Sequence, residues 1–191
     1  MAAKIILVTG GARSGKSFFA EEYAKKIGEK IAYIATAQIY DEEMKLRVEV
    51  HKNRRPLNWQ TYESPFHAEA SVQNASEAHD VILFDCVTLY LSNLLLSSDT
   101  RLNSAEKYNG IAKEFEKILE TAKKNNTDII LVTNEVGMGI VPENALAREY
   151  RDFAGKINQL IAARADEVYW VISGIAVDIK KLAAEQGENN G

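Results

Sequence analysis

The 191-residue sequence has one cysteine, Cys86, which excludes an intramolecular disulfide and any metal site built from several thiolates. That usage suits a reducing compartment. Nor is there an excess of cations: 23 Lys and Arg face 27 Asp and Glu, for a formal net charge of −4. Such a balance gives no general attraction for nucleic acid or an anionic membrane. No apolar run is long enough to span a bilayer, since the longest, at 89–96, is interrupted by Tyr90, Ser92 and Asn93. The chain enters the strand-like run Ile5-Ile6-Leu7-Val8 without the longer apolar stretch and cleavage site of a secretory signal. Internal repeats, low-complexity linkers and composition breaks are also missing. The expectation is one cytoplasmic domain over 1–191, its polar tail fraying after about Ala184.

What is present is an alternation of buried strands and helices. Strands are expected at 4–9, 30–36, 81–85, 128–134 and 167–173, with a short extended piece at 59–62. Helices are expected at 16–27, 41–54, 66–78, 88–96, 104–124 and 144–164, with Ser104 capping the fifth. Continuous Val, Ile and Leu runs separated by helices indicate an α/β fold, a mostly parallel sheet covered on both faces.

Between the first strand and the first helix lies Gly10-Gly11-Ala12-Arg13-Ser14-Gly15-Lys16-Ser17, which fits G-x-x-x-x-G-K-[ST] at every fixed position. The glycines let backbone N–H groups turn inward around phosphate oxygens, beside a helix N-terminus that favours negative charge. Lys16 is expected to bridge the β- and γ-phosphates of ATP or GTP, and the Ser17 hydroxyl to ligate Mg²⁺. The following helix carries Phe18, Phe19, Ala20, Tyr23, Ala24 and Ile27 as its sheet-packing residues. A P-loop needs a second acid at the end of a neighbouring strand, and Val81-Ile82-Leu83-Phe84-Asp85 supplies Asp85.

The stretch 41–55 opens on Asp41, Glu42 and Glu43, charges that suit a helix N-terminus. Arg47, His51 and Arg55 lie four apart and share a face of a helix, with Lys52 and Arg54 beside them. In that cationic setting an imidazole resists protonation and stays nucleophilic toward phosphorus. Spacing alone leaves a plain solvated basic face the commoner reading, and His67 and His79 take that default.

These segments together resemble one family, the bifunctional adenosylcobinamide kinase / adenosylcobinamide-phosphate guanylyltransferases of cobalamin biosynthesis. The resemblance runs through Ile6 to Ser17, Tyr33-Ile34-Ala35-Thr36-Ala37-Gln38 and His51-Lys52-Asn53-Arg54-Arg55-Pro56. It is strongest in Leu131-Val132-Thr133-Asn134-Glu135-Val136-Gly137-Met138-Gly139-Ile140-Val141-Pro142-Glu143-Asn144. It continues in Arg151 to Gln159 and Ala165-Asp166-Glu167-Val168, covering nearly the whole chain in order.

The resemblance implies a single P-loop NTPase domain, RecA-like, with room for an antiparallel edge strand. It also implies two reactions: phosphorylation of adenosylcobinamide by ATP or GTP, then transfer of GMP from GTP through a histidine, giving adenosyl-GDP-cobinamide. The family's histidine falls on His51. Its nucleotide contacts fall on Gly10 to Ser17, on Ala35, Thr36 and Ala37, on Lys52, Asn53, Arg54 and Arg55, and on Glu63 and Asp85. Lys52, Arg54 and Arg55 can also stabilise charge on the transferring phosphate. Glu63 reads equally as a guanine-edge acceptor or a solvent-facing loop carboxylate. The loop after Asn134 is expected on the substrate side, since open α/β sheets bind ligands at strand carboxyl ends. Ser17 and Asp85 are the expected Mg²⁺ ligands, although many relatives carry Glu at the latter position; Val50 stands where some have a second histidine. The implied partners are adenosylcobinamide, its phosphate and further copies of the chain in a homotrimer. The alternatives are a P-loop kinase of another small hydroxyl compound without a covalent intermediate, and a nucleotide-dependent switch protein.

Overall fold

The structure, a computed structural model, describes residues 2–38, 42, 46, 49 and 56–188. In chain order its elements are β1 (Ile5–Gly10), α1 (Lys16–Ile27), β2 (Ile31–Ala35), β3 (Gln60–Glu63), α2 (Ala68–Ser76), β4 (Val81–Asp85), α3 (Val87–Ser97), α4 (Ser104–Lys124), β5 (Asp128–Asn134), α5 (Ala145–Arg164), β6 (Glu167–Ile172), β7 (Ile175–Asp178) and α6 (Ile179–Glu188). The strands form one sheet in the order β3-β2-β4-β5-β1-β6-β7. All neighbours are parallel except β7, which closes one edge antiparallel to β6.

The period-two alternation of each central strand sorts its side chains between two apolar layers. Ile5 and Leu7, Ile82 and Phe84, and Ile129 and Leu131 pack with Val72, Tyr90, Phe115 and Ile157 from α2, α3, α4 and α5. Ile6 and Val8, Val81 and Leu83, and Ile130 and Val132 pack with Ala20 and Ala24 of α1. Burial on both faces explains why these strands read as unbroken aliphatic runs. A large aliphatic side chain so buried contributes roughly 1.5–3 kcal/mol.

Polar groups at the opposite end fix where β1 begins, and hence where it delivers its last residue. Ile5 N donates to Asp166 Oδ2 at 2.7 Å, and Lys4 N to Asp128 Oδ1 at 2.7 Å. Burial alone would raise the Asp166 pKa; the Ile5 N–H and the Lys123 ammonium, 2.9 Å away, outweigh it and hold the carboxyl below its ordinary value.

Three expectations change. The cap of α4 is Asn103, not Ser104: Asn103 Oδ1 accepts from Glu106 N at 3.0 Å while Glu106 Oε2 accepts from Asn103 N at 2.9 Å, a reciprocal capping box. Phe18 is 58% exposed rather than packed on the sheet. At 100° per residue it points about 160° away from Ala20, the residue that marks the buried stripe of α1. Helix α6 runs through Glu188, past Ala184. The helix expected over 41–54 falls mostly outside the described residues; Glu42, Leu46 and Glu49 are helical. Among the described residues no helix is long and apolar enough to cross a membrane.

Candidate nucleotide site

The parallel register brings the predicted residues of different segments to one carboxyl edge. Gly10 at the end of β1 is level with Asn134 of β5 and with Val171 of β6. Ala35 at the end of β2 is level with Asp85 on one side and Glu63 on the other. Thr36, Ala37, Ser64 and Cys86 continue past this edge, where a parallel sheet offers its loops to ligands.

The P-loop is held in its turn by contacts that exclude side chains. A Cβ on Gly10 would lie 2.4 Å from the Val171 carbonyl oxygen and 2.7 Å from Ser14 Oγ. Gly15, the residue before α1, has φ 96°, and a Cβ there would meet the Gly174 Cα at 3.2 Å. The loop rests on the tight β6–β7 turn, where Gly174 N donates to the Ser14 carbonyl at 2.8 Å. Ser173 and Gly174 both have positive φ, the backbone of a type I′ hairpin. The buried Ser14 Oγ and Thr9 Oγ1 have no hydrogen-bond partner among the described residues. Lys16 folds back so that its ammonium donates to the Gly11 carbonyl at 3.1 Å. Burial lowers its pKa, against the pull of Cys86 and Asp85.

Asp85 is carried two strands away from β1, roughly 10 Å across the sheet. Its Oδ2 accepts from the Tyr33 hydroxyl at 2.8 Å. The next residue is locked to β2: Cys86 N donates to Thr36 Oγ1 at 2.7 Å, and Thr36 Oγ1 donates to the Cys86 carbonyl at 2.9 Å. Asn93 of α3 then donates to the Thr36 carbonyl at 2.8 Å and to the Pro65 carbonyl at 3.0 Å, tying the β2 and β3 ends together. Burial, with Asp85 beside it, pushes the Cys86 thiol up to about 11, so Cys86 stays a neutral thiol wedged under the site.

The structure therefore brings together Gly10, Gly11, Ala12, Arg13, Ser14, Gly15, Lys16, Ser17, Ala35, Thr36, Ala37, Glu63 and Asp85 at one edge. His51, Lys52, Asn53, Arg54 and Arg55 lie outside the described residues. His67 occupies the N-cap position of α2 without a side-chain capping bond, and His79 Nδ1 lies 2.9 Å from the Ala75 carbonyl. Sequence reading missed Tyr33, Asn93 and the Ser173-Gly174 turn as parts of the site. Only the last had a local signal, a Ser-Gly pair between two short apolar runs.

A parallel sheet whose first strand ends in such a loop, with one strand between it and the acidic strand, defines a P-loop nucleoside triphosphatase fold. The fold is shared with an ATPase from the type III secretion system of pathogenic bacteria, at a TM-score of 0.59 and 13% identity, covering 97% of this chain and 54% of that one. A narrower assignment comes from sequence. The model of the family described as cobinamide kinase / cobinamide phosphate guanyltransferase matches residues 6–179, and the chain belongs to that family. The bifunctional adenosylcobalamin biosynthesis protein CobU of Salmonella typhimurium is 45% identical, covering 92% of this chain and 99% of that one. Its Escherichia coli counterpart is 43% identical over the same shares. The bifunctional protein CobP of Pseudomonas aeruginosa is 41% identical, covering 91% and 96%.

Proposed function

We propose that this cytoplasmic enzyme carries out two transfers at the P-loop edge. In the first, the aminopropanol hydroxyl of adenosylcobinamide attacks the γ-phosphorus of ATP or GTP. The bond to the β–γ bridging oxygen breaks, and the nucleoside diphosphate leaves with the electron pair. In the second, a neutral His51 imidazole nitrogen attacks the α-phosphorus of GTP and pyrophosphate leaves. A phosphate oxygen of adenosylcobinamide phosphate then displaces the histidine, breaking P–N and forming the P–O–P linkage of adenosyl-GDP-cobinamide. Splitting the second transfer lets GTP leave its pyrophosphate before the acceptor arrives.

The observation that carries this reading is the family match over 6–179 together with the convergence of its nucleotide motifs at one sheet edge. Gly10 to Ser17 hold the phosphates through backbone N–H groups and Lys16, while Ala35, Thr36, Ala37 and Glu63 line the edge beside them. Lys52, Asn53, Arg54 and Arg55 follow the nucleophile in the chain and supply charge for the transferring phosphate. The donor set suits Mg²⁺ rather than a protein-caged metal: among the described residues no three His, Cys, Asp or Glu side chains group to hold one. Mg²⁺ is bound by one or two protein oxygens plus substrate phosphates, which fits Ser17 and Asp85. When bound, it would neutralise charge on the phosphates. Exposed Met138, Ile140 and Val141, on the loop after β5, suit a large, partly apolar corrinoid. The resemblance favours a homotrimer with that substrate between subunits.

The test is incubation of the purified protein with ATP, Mg²⁺ and adenosylcobinamide, followed by GTP, with corrinoid products separated by chromatography. The phosphate and then the GDP derivative are expected from the wild type, and neither from Lys16→Ala. Undiminished phosphate transfer by Lys16→Ala would remove the P-loop from the reaction.

A further inference from the structure

Asn134 ends β5, the strand inserted between the P-loop strand and the strand of Asp85. By strand alternation its side chain shares a face with Ile130 and Val132, both in the apolar layer against α1. Gly10 follows Ile6 and Val8 on that face, and Asp85 follows Val81 and Leu83. Asn134 therefore projects between the phosphate loop and the site carboxylate, on the side where α1 presents Lys16.

Its surroundings fix it on every side but one. Nδ2 donates to Thr88 Oγ1 at 3.3 Å, and the Asn134 carbonyl accepts from Asn158 Nδ2 at 3.3 Å. Asn158 is itself oriented by the Thr133 hydroxyl, which donates to its Oδ1 at 2.7 Å. The next residue is tied to the P-loop strand, Glu135 N donating to the Gly10 carbonyl at 3.0 Å. Thr88 in turn is held through its carbonyl, which accepts from the Tyr150 hydroxyl at 3.2 Å. The exception is Oδ1, which is buried without a hydrogen-bond partner among the described residues. A buried acceptor left open in an otherwise satisfied network costs stability unless a ligand supplies the donor.

We infer that Asn134 Oδ1 is the acceptor that positions the attacking oxygen of the phosphoryl-transfer step, the hydroxyl of the substrate or, in its absence, a water. The inference rests on the kinase reading above. Lys16 and Asp85 flank the γ-phosphate end of a P-loop site, and phosphate oxygens there have no proton to offer a carboxamide oxygen. The entering O–H does. Asn134 takes no proton: it aims the oxygen at phosphorus as the bond to the leaving diphosphate breaks, and the hydroxyl proton passes to a γ-phosphate oxygen. An attacking group so aligned gains from fixed orientation rather than from base strength.

The experiment compares wild type, Asn134→Ala and Thr88→Val in three readouts: phosphate transfer to adenosylcobinamide, slow ATP hydrolysis without corrinoid, and affinity for a fluorescent ATP analogue. For Asn134→Ala, kcat for both transfers should fall roughly tenfold or more while nucleotide affinity stays within about twofold. Thr88→Val, which frees the carboxamide to turn and also removes the contact of Thr88 Oγ1 with Cys86 Sγ at 3.2 Å, should show a smaller loss of the same kind. Hydrolysis separates this inference from the kinase reading: a wild type that leaves adenosylcobinamide untouched overturns that substrate, yet a tenfold loss of hydrolysis in Asn134→Ala still supports the role of the residue. Unchanged hydrolysis in both variants, or affinity falling in step with kcat, overturns the inference.

Discussion

The Tyr33 hydroxyl donates to Asp85 Oδ2 at 2.8 Å, joining two neighbouring strands two residues out of register at the edge where the nucleotide motifs meet. Tyr33 is buried, and its ring packs in the α1-side layer. The bond aims one carboxylate oxygen and leaves the other to the site. Hydrogen bonds to a charged acceptor are worth about 1.5–3 kcal/mol. Tyr33→Phe should therefore lower kinase kcat by roughly tenfold and raise the Mg²⁺ concentration needed for half-maximal rate, because the carboxylate is no longer held in one rotamer. Steady-state kinetics across a Mg²⁺ titration checks both; a normal Mg²⁺ dependence would mean that Asp85 is positioned by other means.

The two glycines that open the P-loop make opposite demands. A Cβ at Gly10 would collide with the Val171 carbonyl, whereas one at Gly11 would meet nothing within 4 Å. Gly10→Ala should displace the loop from β6, lower Tm and weaken ATP binding by at least about tenfold. Gly11→Ala should change Tm little. Calorimetry with and without ATP measures both, and equal effects at the two positions would contradict the packing described.

The Lys16 ammonium is held below the usual lysine value of 10.5, chiefly by burial. A lysine with a lower pKa folded than unfolded costs stability wherever both states are protonated, and the cost disappears as pH rises through 10.5. Lys16→Met should thus raise Tm of the nucleotide-free protein at pH 7, with an advantage that shrinks toward pH 10.5. ATP should raise Tm of the wild type far more than that of the variant. A variant less stable at neutral pH would show that the contact with the Gly11 carbonyl outweighs desolvation.

Much of the scaffold was legible because its signals are local. Val81–Asp85 and Asp128–Asn134 are bounded by polar residues and buried on both faces, so hydropathy alone marks their ends. Gly10 to Ser17 has fixed spacing, and Lys16–Ile27 begins where the motif says a helix must. What escaped depends on pairs far apart in the chain. The Tyr33–Asp85 bond, the Thr36–Cys86 clamp and the seat of Gly15 against Gly174 exist only once strand order is known. Phe18 was misplaced for another reason: two adjacent aromatic residues cannot both face the sheet from one helix, and Phe19 takes that side. His51 reads as the nucleophile only through family resemblance, since its spacing with Arg47 and Arg55 fits a solvated basic face equally well.

The covalent step is the most direct test of the whole account. The protein is incubated with Mg²⁺ and GTP labelled at the α-phosphorus, split between acid and base, and digested for mass spectrometry. A phosphoramidate predicts label that survives base, is lost in acid and sits on the peptide containing His51, with none on His51→Ala, which should keep measurable kinase activity. Label that persists on His51→Ala, or that withstands acid, would contradict the account.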